Sequence, residues 1–435
     1  MKSSPLARTF ELAKLAARVG LKELKSNDFN SRVEQAVLIA KSLSSLKGAA
    51  MKAGQLLSLD LDNYFPPEAI EVLSQLQNAA TAHPYSEIEK IIQSEIPSER
   101  RSLITSISQT PLGVASIGQV HKARYKNKDI VLKVQYSDVA DSIDSDLKIL
   151  KTLATSFCQM TGRKMNLDPL FTEFRTILEQ ELDYESEAKF QTLFLDKINK
   201  LNANTSCRYR VPMPIEELST KRVLSMSFEK GVTLRQWLSL NPAQSDKHTL
   251  AVAILDLYFH EFFEWGLVQT DPNWGNFLVD TSSKDISICL LDFGATRQYS
   301  KDFILNYINL LDAAASNQSA KLRTLSIDFG LIDPRESEDA FKAFETMLKT
   351  AIKPFFISRA KGSPHFDFSD RNHTLESQTA VKALSDQLIY SPPPYSIIFL
   401  HRKLAGVYSI LKSLNANLDI SPYWEMMKDL SNREK

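Results

Sequence analysis

The sequence predicts an α+β fold, in which a helical N-terminal stretch leads into a small β-containing unit and then into a larger helical one. Three observations carry that prediction. Apolar residues recur at helical spacing within residues 5–60, where Leu12, Leu15, Ala16 and Val19 share one face. The character changes at 109–136, where the β-prone runs ASIGQVHKARY and DIVLKVQY flank KNKD, a hairpin-like turn. From 233 onward the pattern is helical again, broken by short strands around FLVD and ISICLLD.

The remaining elements follow the same rules. PPEAIEVLSQLQ opens a further helix, because proline is well tolerated in a first turn. Residues 85–108 and 140–200 read as helical, and RVLSMSFE reads as a strand. The expected division is therefore 1–108, a helical extension; 109–230, a small lobe with a helical insert; and 231–435, a helical lobe.

Composition narrows the function. A chain of 435 residues is long enough for two lobes with sizeable cores. Lys+Arg and Asp+Glu both total 52, so nothing pulls the whole molecule toward nucleic acid, and that class is set aside. The scattered Cys158, Cys207 and Cys289 suggest neither a metal cluster nor a disulfide framework, and read as small buried hydrophobes. The first residues lack the unbroken apolar run of a secretory signal. AVAILDLYFHEFFEWGLV carries Asp256, His260, Glu261 and Glu264, and YSIIFLHRKLAGVYSIL carries His401, Arg402 and Lys403. Both read as buried core helices rather than spans, which need about 20 residues with few charges. The expectation is a cytoplasmic protein with no transmembrane span. Lys2, Arg8, Lys14, Arg18, Lys22 and Lys25 make the first 25 residues basic and amphipathic, suited to peripheral contact with an anionic membrane or to packing as a solvated helix.

The chemistry-bearing residues begin at QTDPNWGNF. Asp271 and Asn276 stand at D-x-x-x-x-N spacing, and Asp292 in LLDFG follows one predicted hairpin. ATP-dependent phosphoryl transfer needs a carboxylate near the acceptor, an amide oxygen on a metal and a second carboxylate joining Mg²⁺ to the phosphates, in that order in kinases. The same spacings recur at Asp312, Asn317 and Asp328, but with a helical segment between them and no turn-forming Pro or Gly, so the second set reads as coincidence. Upstream, Lys133 sits in a strand after PLGVASIGQV. Against G-x-G-x-x-G-x-V this segment supplies Gly113, Gly118 and Val120, with Ala115 in place of the middle glycine, whose methyl should obstruct a phosphate. A strand lysine of this kind needs a helix carboxylate to orient it. EQELDYESEAKF offers Glu181, Asp183, Glu185 and Glu187, and spacing alone does not choose. After LLDFGATRQY the chain passes directly into a helix-like pattern with no A-P-E motif, which argues against ordinary protein phosphorylation.

Taken together, MKAGQLLS, ASIGQVHKA with Lys133, ELDYESEA, TDPNWGNF with LLDFGATR, and PPPYSIIFLHRKLAG resemble the UbiB (AarF-domain) atypical kinases associated with coenzyme Q and related prenyl-lipid metabolism. The likeness reaches from about residue 45 to 412. It implies a kinase-like bilobal fold with an added N-terminal helical extension. It implies ATP or ADP and Mg²⁺ as cofactors. Lys52, Gly54 and Gln55 match the KxGQ motif, and Glu181 and Asp183 the ExD motif that faces it, a regulatory pair of elements. Gly113, Val114, Ala115 and Ser116 fall on the alanine-type nucleotide loop, with Met226 and Phe228 completing the expected nucleotide contacts. Glu187 matches the helix acid that pairs with Lys133, Asp271 the catalytic-loop acid, and Asn276 and Asp292 the metal ligands. Two departures stand out. Gly113 and Val114 replace alanines of the loop, which bears on nucleotide preference, and Gln269 stands where many members have His, which leaves the anchoring of the catalytic loop open. The partners so implied are a nucleotide, a prenyl-lipid or quinone precursor, lipid-biosynthesis enzymes and the inner-membrane surface. A small-molecule phosphotransferase of the aminoglycoside/choline kinase type and a non-catalytic, nucleotide-gated binding module are the competing readings.

Overall fold

A computed structural model describes residues 82–433 apart from 116, 138, 161–165, 203, 204, 206, 284, 357–364 and 392–394. The helices expected in residues 5–60 and at PPEAIEVLSQLQ lie outside these residues, as do Lys52, Gly54, Gln55 and Ser116. The chain divides into two compact units. The first runs to Lys189 and takes in Met213–Phe228, and the second comprises Phe190–Pro212 and the chain from Glu229 on.

In the first unit, helix α1 (Tyr85–Glu95) buries Ile88, Ile91 and Ile92, a stripe at 3/4 spacing. A single turn, α2 (Ser98–Arg101), follows. The expected helix over 85–108 does not continue. Pro97 interrupts it, and the β-branched ITSI forms strand β1 (Ile104–Ile107) instead. Next come β2 (Gly113–Val114), β3 (Gly118–Tyr125) and β4 (Lys128–Gln135). Helices α3 (Ile143–Met160), α4 (Asp168–Glu181) and α5 (Tyr184–Leu201) fill the region read as helical. Strand β5 (Arg208–Arg210) belongs to the second unit, and β6 (Val223–Ser227) returns to the first. The first unit's sheet has the order β1-β3-β4-β6, with β2 also on β3, and every pairing is antiparallel. KNKD closes the β3–β4 hairpin through Lys126 and Asn127, whose φ values of 46° and 62° are those of a two-residue turn with both central residues left-handed.

In the second unit, β7 (Val232–Thr233) and α6 (Leu234–Ser239) are joined by a capping box between Thr233 and Gln236. Helix α7 (Gln244–Phe259) buries residues around most of its circumference and runs into a π-helical turn, His260–Glu264. Four short strands follow: β8 (Leu267–Gln269), β9 (Phe277–Asp280), β10 (Ser287–Leu290) and β11 (Thr296–Gln298). The two strands expected at FLVD and ISICLLD are β9 and β10, an antiparallel pair. Strands β8 and β11, three residues each, carry too short a pattern to be read from sequence. Helices α8 (Lys301–Ala315) and α9 (Ser319–Asp328) hold the second D-x-x-x-x-N and DFG. Asp312 is helical there, Asn317 makes the turn at φ 55°, and Asp328 ends α9. Helices α10 (Glu338–Ile352), α11 (Arg371–Gln387) and α12 (Tyr395–Ser413) complete the part of the unit that bears on the site, with α12 packed on α7. No helix among the described residues is long and apolar enough to cross a membrane. Cys207 and Cys289 are buried in this unit, and burial pushes the Cys207 thiol up to about 12, which suits packing rather than reactivity.

One glycine is required where β3 meets β4. A Cβ on Gly118 would lie 2.4 Å from the Val134 carbonyl oxygen and 3.0 Å from the Tyr184 hydroxyl, whereas one on Gly113 would meet nothing within 4 Å. Gly118→Ala is expected to cost about 1–3 kcal/mol of stability by forcing the strands apart. Gly113→Ala is expected to stay within about 0.5 kcal/mol. Urea unfolding of the two variants checks the contrast.

Candidate active site

The first unit assembles a lysine–carboxylate pair. Lys133 stands on β4, flanked in register by Val120 of β3 and Leu224 of β6, so its strand is paired on both sides. Its Nζ donates to Glu187 Oε1 at 2.7 Å and Oε2 at 2.9 Å. Both side chains are buried, Glu187 almost completely. Of the four acids in EQELDYESEAKF, the one that meets Lys133 is Glu187, in the first turn of α5. Glu185 points outward. Asp183 starts the helix: its Oδ1 accepts from the Glu185 and Ser186 amides at 3.1 and 3.2 Å, and its Oδ2 from the Ser186 hydroxyl at 3.0 Å. Asp183 thereby fixes the turn that carries Glu187. Glu181 is buried at the end of α4. The Tyr184 ring lies 5.1 Å from Lys133 Nζ, a cation–π contact on the same lysine.

The glycine-poor loop is a tight hairpin. Gly113 pairs with Val120 and Val114 with Gln119, and the Ala115 amide donates to the Gly118 carbonyl at 2.8 Å. Val114 is exposed and Ile117 buried. Met226 is buried on β6 opposite Val131, and the Phe228 amide donates to the Asp129 carbonyl, with Lys122 Nζ 4.4 Å above its ring.

The second unit assembles the acids. Gln269 of β8 pairs with Thr296 of β11, and Phe277 of β9 pairs with Leu290 of β10. Residues 270–276 and 291–295 therefore run between two antiparallel ladders that fix them against each other. Additional bonds join them: the Leu291 amide to the Asn276 carbonyl at 3.0 Å, and the Thr270 hydroxyl to the Ala295 carbonyl at 2.6 Å. The loop is turned by Asn273, whose side chain accepts from the Gly275 amide at 2.9 Å. Asn276 Nδ2 donates to Asp271 Oδ2 at 3.0 Å. A carboxylate accepts only, so the amide nitrogen must face it, which leaves Asn276 Oδ1 on the side away from Asp271. Asp292 follows Leu291 directly, with Oδ1 accepting from the Gly294 amide at 3.0 Å. One amide oxygen and one carboxylate are hard oxygen donors suited to Mg²⁺, which completes its shell with water and substrate phosphates rather than a protein cage. The described residues hold no group of three or more His, Cys, Asp and Glu that could bind a metal by themselves.

Residues 75–326 match the model of the ABC1 atypical kinase-like domain. Among curated relatives, the chain is 30% identical to the mitochondrial atypical kinase COQ8 of Saccharomyces cerevisiae, over 96% of this chain and 83% of that one. It is 31% identical to the mitochondrial atypical kinase COQ8B of Rattus norvegicus, over 87% and 69%. The chain belongs to the ABC1 atypical kinase-like family. Among solved structures, Mycobacterium tuberculosis Rv3197 in its erythromycin complex superposes with a TM-score of 0.58 at 22% identity, covering 88% of this chain and 92% of that one, a likeness of fold. The fold is accordingly kinase-like. The ABC1 chain is not an ordinary protein kinase: β11 ends at Gln298, Ser300 caps α8, and no peptide-holding segment intervenes.

Three residues of the ABC1 site were not singled out from sequence as site residues, and all lie in HRKLAG on α12. Arg402 Nη2 donates to Asp271 Oδ1 at 2.8 Å, with both side chains largely buried. Lys403 Nζ contacts Gln269 Oε1 at 3.2 Å and Glu261 Oε2 at 3.0 Å. Burial raises the Glu261 pKa and Lys403 draws it back. Gly406, one turn beyond Arg402, faces the loop: a Cβ there would lie 2.0 Å from Pro272 Cβ. The signal was present as charges inside an apolar helix. It ruled out a membrane span but could not name partners 131 residues away.

Two outcomes are expected. Lys133→Met removes the cation from a buried carboxylate and should cost about 3–5 kcal/mol, while Lys133→Met/Glu187→Leu should recover most of that stability without nucleotide binding. Thermal unfolding and nucleotide titration of both variants check this. Gly406→Ala should cost about 1–3 kcal/mol and displace Asp271, lowering any ATP turnover more than nucleotide affinity.

Proposed function

We propose that this ABC1 protein is an ATP- and Mg²⁺-dependent atypical kinase or ATPase that supports ubiquinone or related prenyl-lipid metabolism. The observation that carries the chemistry is the set of Asp271, Asn276 and Asp292, held between two strand ladders with the Asn276 amide oriented by Asp271. Lys133 holds the α- and β-phosphates, and Glu187 keeps its ammonium in place. Gly113, Val114, Ala115, Ser116, Met226 and Phe228 contact the nucleotide. Asn276 and Asp292 hold Mg²⁺, which when bound neutralises charge on the transferring phosphoryl group. Asp271 positions the acceptor, a water or a small-molecule hydroxyl, and receives its proton as transfer proceeds. Lys52, Gly54 and Gln55, together with Glu181 and Asp183, control access as the KxGQ and ExD elements. The metabolic assignment rests on the family's association with coenzyme Q and on the likeness to the COQ8 atypical kinases. Peripheral contact with an anionic membrane, a prenyl-lipid precursor and lipid-biosynthesis enzymes as partners belong to the same proposal.

The test is ADP release from MgATP by wild type and Asp292→Asn, with and without anionic vesicles and a simple phenol. Turnover that rises with vesicles or phenol and is lost in Asp292→Asn is the expected result. No turnover above the variant under any condition would overturn the enzymatic reading in favour of a nucleotide-gated binding module.

A further inference from the structure

The catalytic acid is gripped by a chain of buried groups in which each orients the next. Glu261, in the π-helical turn after α7, is fully buried and holds Lys403 of α12 by ion pairing at 3.0 Å. An ammonium can only donate, so the Gln269 amide must present Oε1 to it, and does so at 3.2 Å. With Oε1 so committed, the Gln269 NH₂ faces the other way and donates to the Asp271 carbonyl at 2.8 Å. Reversing the amide would set oxygen against oxygen at Asp271 and NH₂ against an ammonium at Lys403.

A buried ion pair is poor evidence of a stabilising role, because the desolvation cost can exceed the Coulombic gain and apolar replacements are often as stable. Here the pair is buried and leads, through Gln269, to the main chain of Asp271. We infer that Glu261 and Lys403 are positioning residues for phosphoryl transfer, acting through Gln269 on the backbone of Asp271. The glutamine that departs from the family's usual histidine anchors the catalytic loop by this route. Arg402, the preceding residue of α12, holds the Asp271 carboxylate, so one helix turn fixes both the main chain and the side chain of that residue. Neither Lys403 nor Glu261 touches the nucleotide or the acceptor in this assignment. Their loss should therefore lower kcat and leave the KM for MgATP unchanged.

The inference rests on the phosphoryl-transfer reading of Asp271, and the experiment separates the two. Steady-state MgATP turnover, thermal unfolding and nucleotide affinity are measured on the full chain for wild type, Asp292→Asn, Gln269→Met and the charge-neutral pair Glu261→Gln/Lys403→Met. The expected result is a folded double variant with wild-type KM and nucleotide affinity, a kcat lowered 10- to 100-fold, and no further loss when Gln269→Met is added, because all three residues act along one path. A folded double variant with wild-type kcat, losses that multiply with Gln269→Met, or a raised KM would overturn the inference. If the double variant does not fold, Gln269→Met and Gln269→His decide. Lowered kcat in the first, with partial recovery by an imidazole that both donates and accepts, supports positioning, and wild-type kcat in Gln269→Met overturns it. Absence of wild-type turnover above Asp292→Asn overturns the phosphoryl-transfer reading and this one with it.

Discussion

All the side-chain and carbonyl oxygens of Asp271 accept hydrogen bonds from buried or half-buried donors: the carbonyl from Gln269, Oδ1 from Arg402 and Oδ2 from Asn276. That set of bonds is the constraint on which the second unit's architecture turns. A carboxylate below the surface is tolerable only when its charge is matched and its lone pairs are used. Arg402 matches the charge. The donors come from β8, from α12 and from the end of the 270–276 loop itself, so a shift of any of these elements takes a donor away from Asp271. The short strands β8 and β11 would be marginal as an isolated two-stranded ribbon. They persist because they end at a loop whose geometry is fixed from several directions.

The first unit solves a simpler problem with more local means. Lys133 and Glu187 need only a strand in the middle of a sheet and a helix whose first turn faces it. Asp183 supplies that turn by capping α5 four residues before Glu187, and Gly118 lets β4 and Tyr184 close on β3. The substitution of Ala115 for the loop's middle glycine also becomes intelligible. Its amide is engaged with the Gly118 carbonyl inside the hairpin, so this residue shapes the turn rather than offering an open amide. A glycine there would add conformational freedom without adding a donor.

What was legible in the sequence follows the same division. Motifs whose parts are close in the chain were readable: the KNKD turn, the helix–strand order, DPNWGN before its hairpin, and the spurious DFG within a helical segment. Lys133 was placed on a strand by alternation alone, yet its choice of Glu187 over Glu181, Asp183 and Glu185 depends on which face of α5 meets the sheet, and acidic spacing does not encode that. Strand β1 was misread because helix signals on both sides of Pro97 look alike until ITSI finds a partner in β3. Gln269 was visible as a departure and its consequence was not. An amide can stand in for an imidazole only if something fixes which end faces the loop, and that something, Lys403, enters from the far end of the chain.

The spacing within HRKLAG explains why α12 can do all of this at once. Residues four apart lie on one face of a helix, so Arg402 and Gly406 present a cation and a gap side by side to Asp271 and Pro272. Lys403, rotated about 100° from Arg402 by the helical repeat, reaches instead toward Glu261 and Gln269. The gap matters as much as the charge: with any side chain at 406 the helix would stand off from Pro272, and Arg402 would lose its reach to the carboxylate. Charge, absence of a side chain and helical phase thus specify one another, which is why a single turn of helix near residue 402 can hold the Asp271 loop more than a hundred residues earlier.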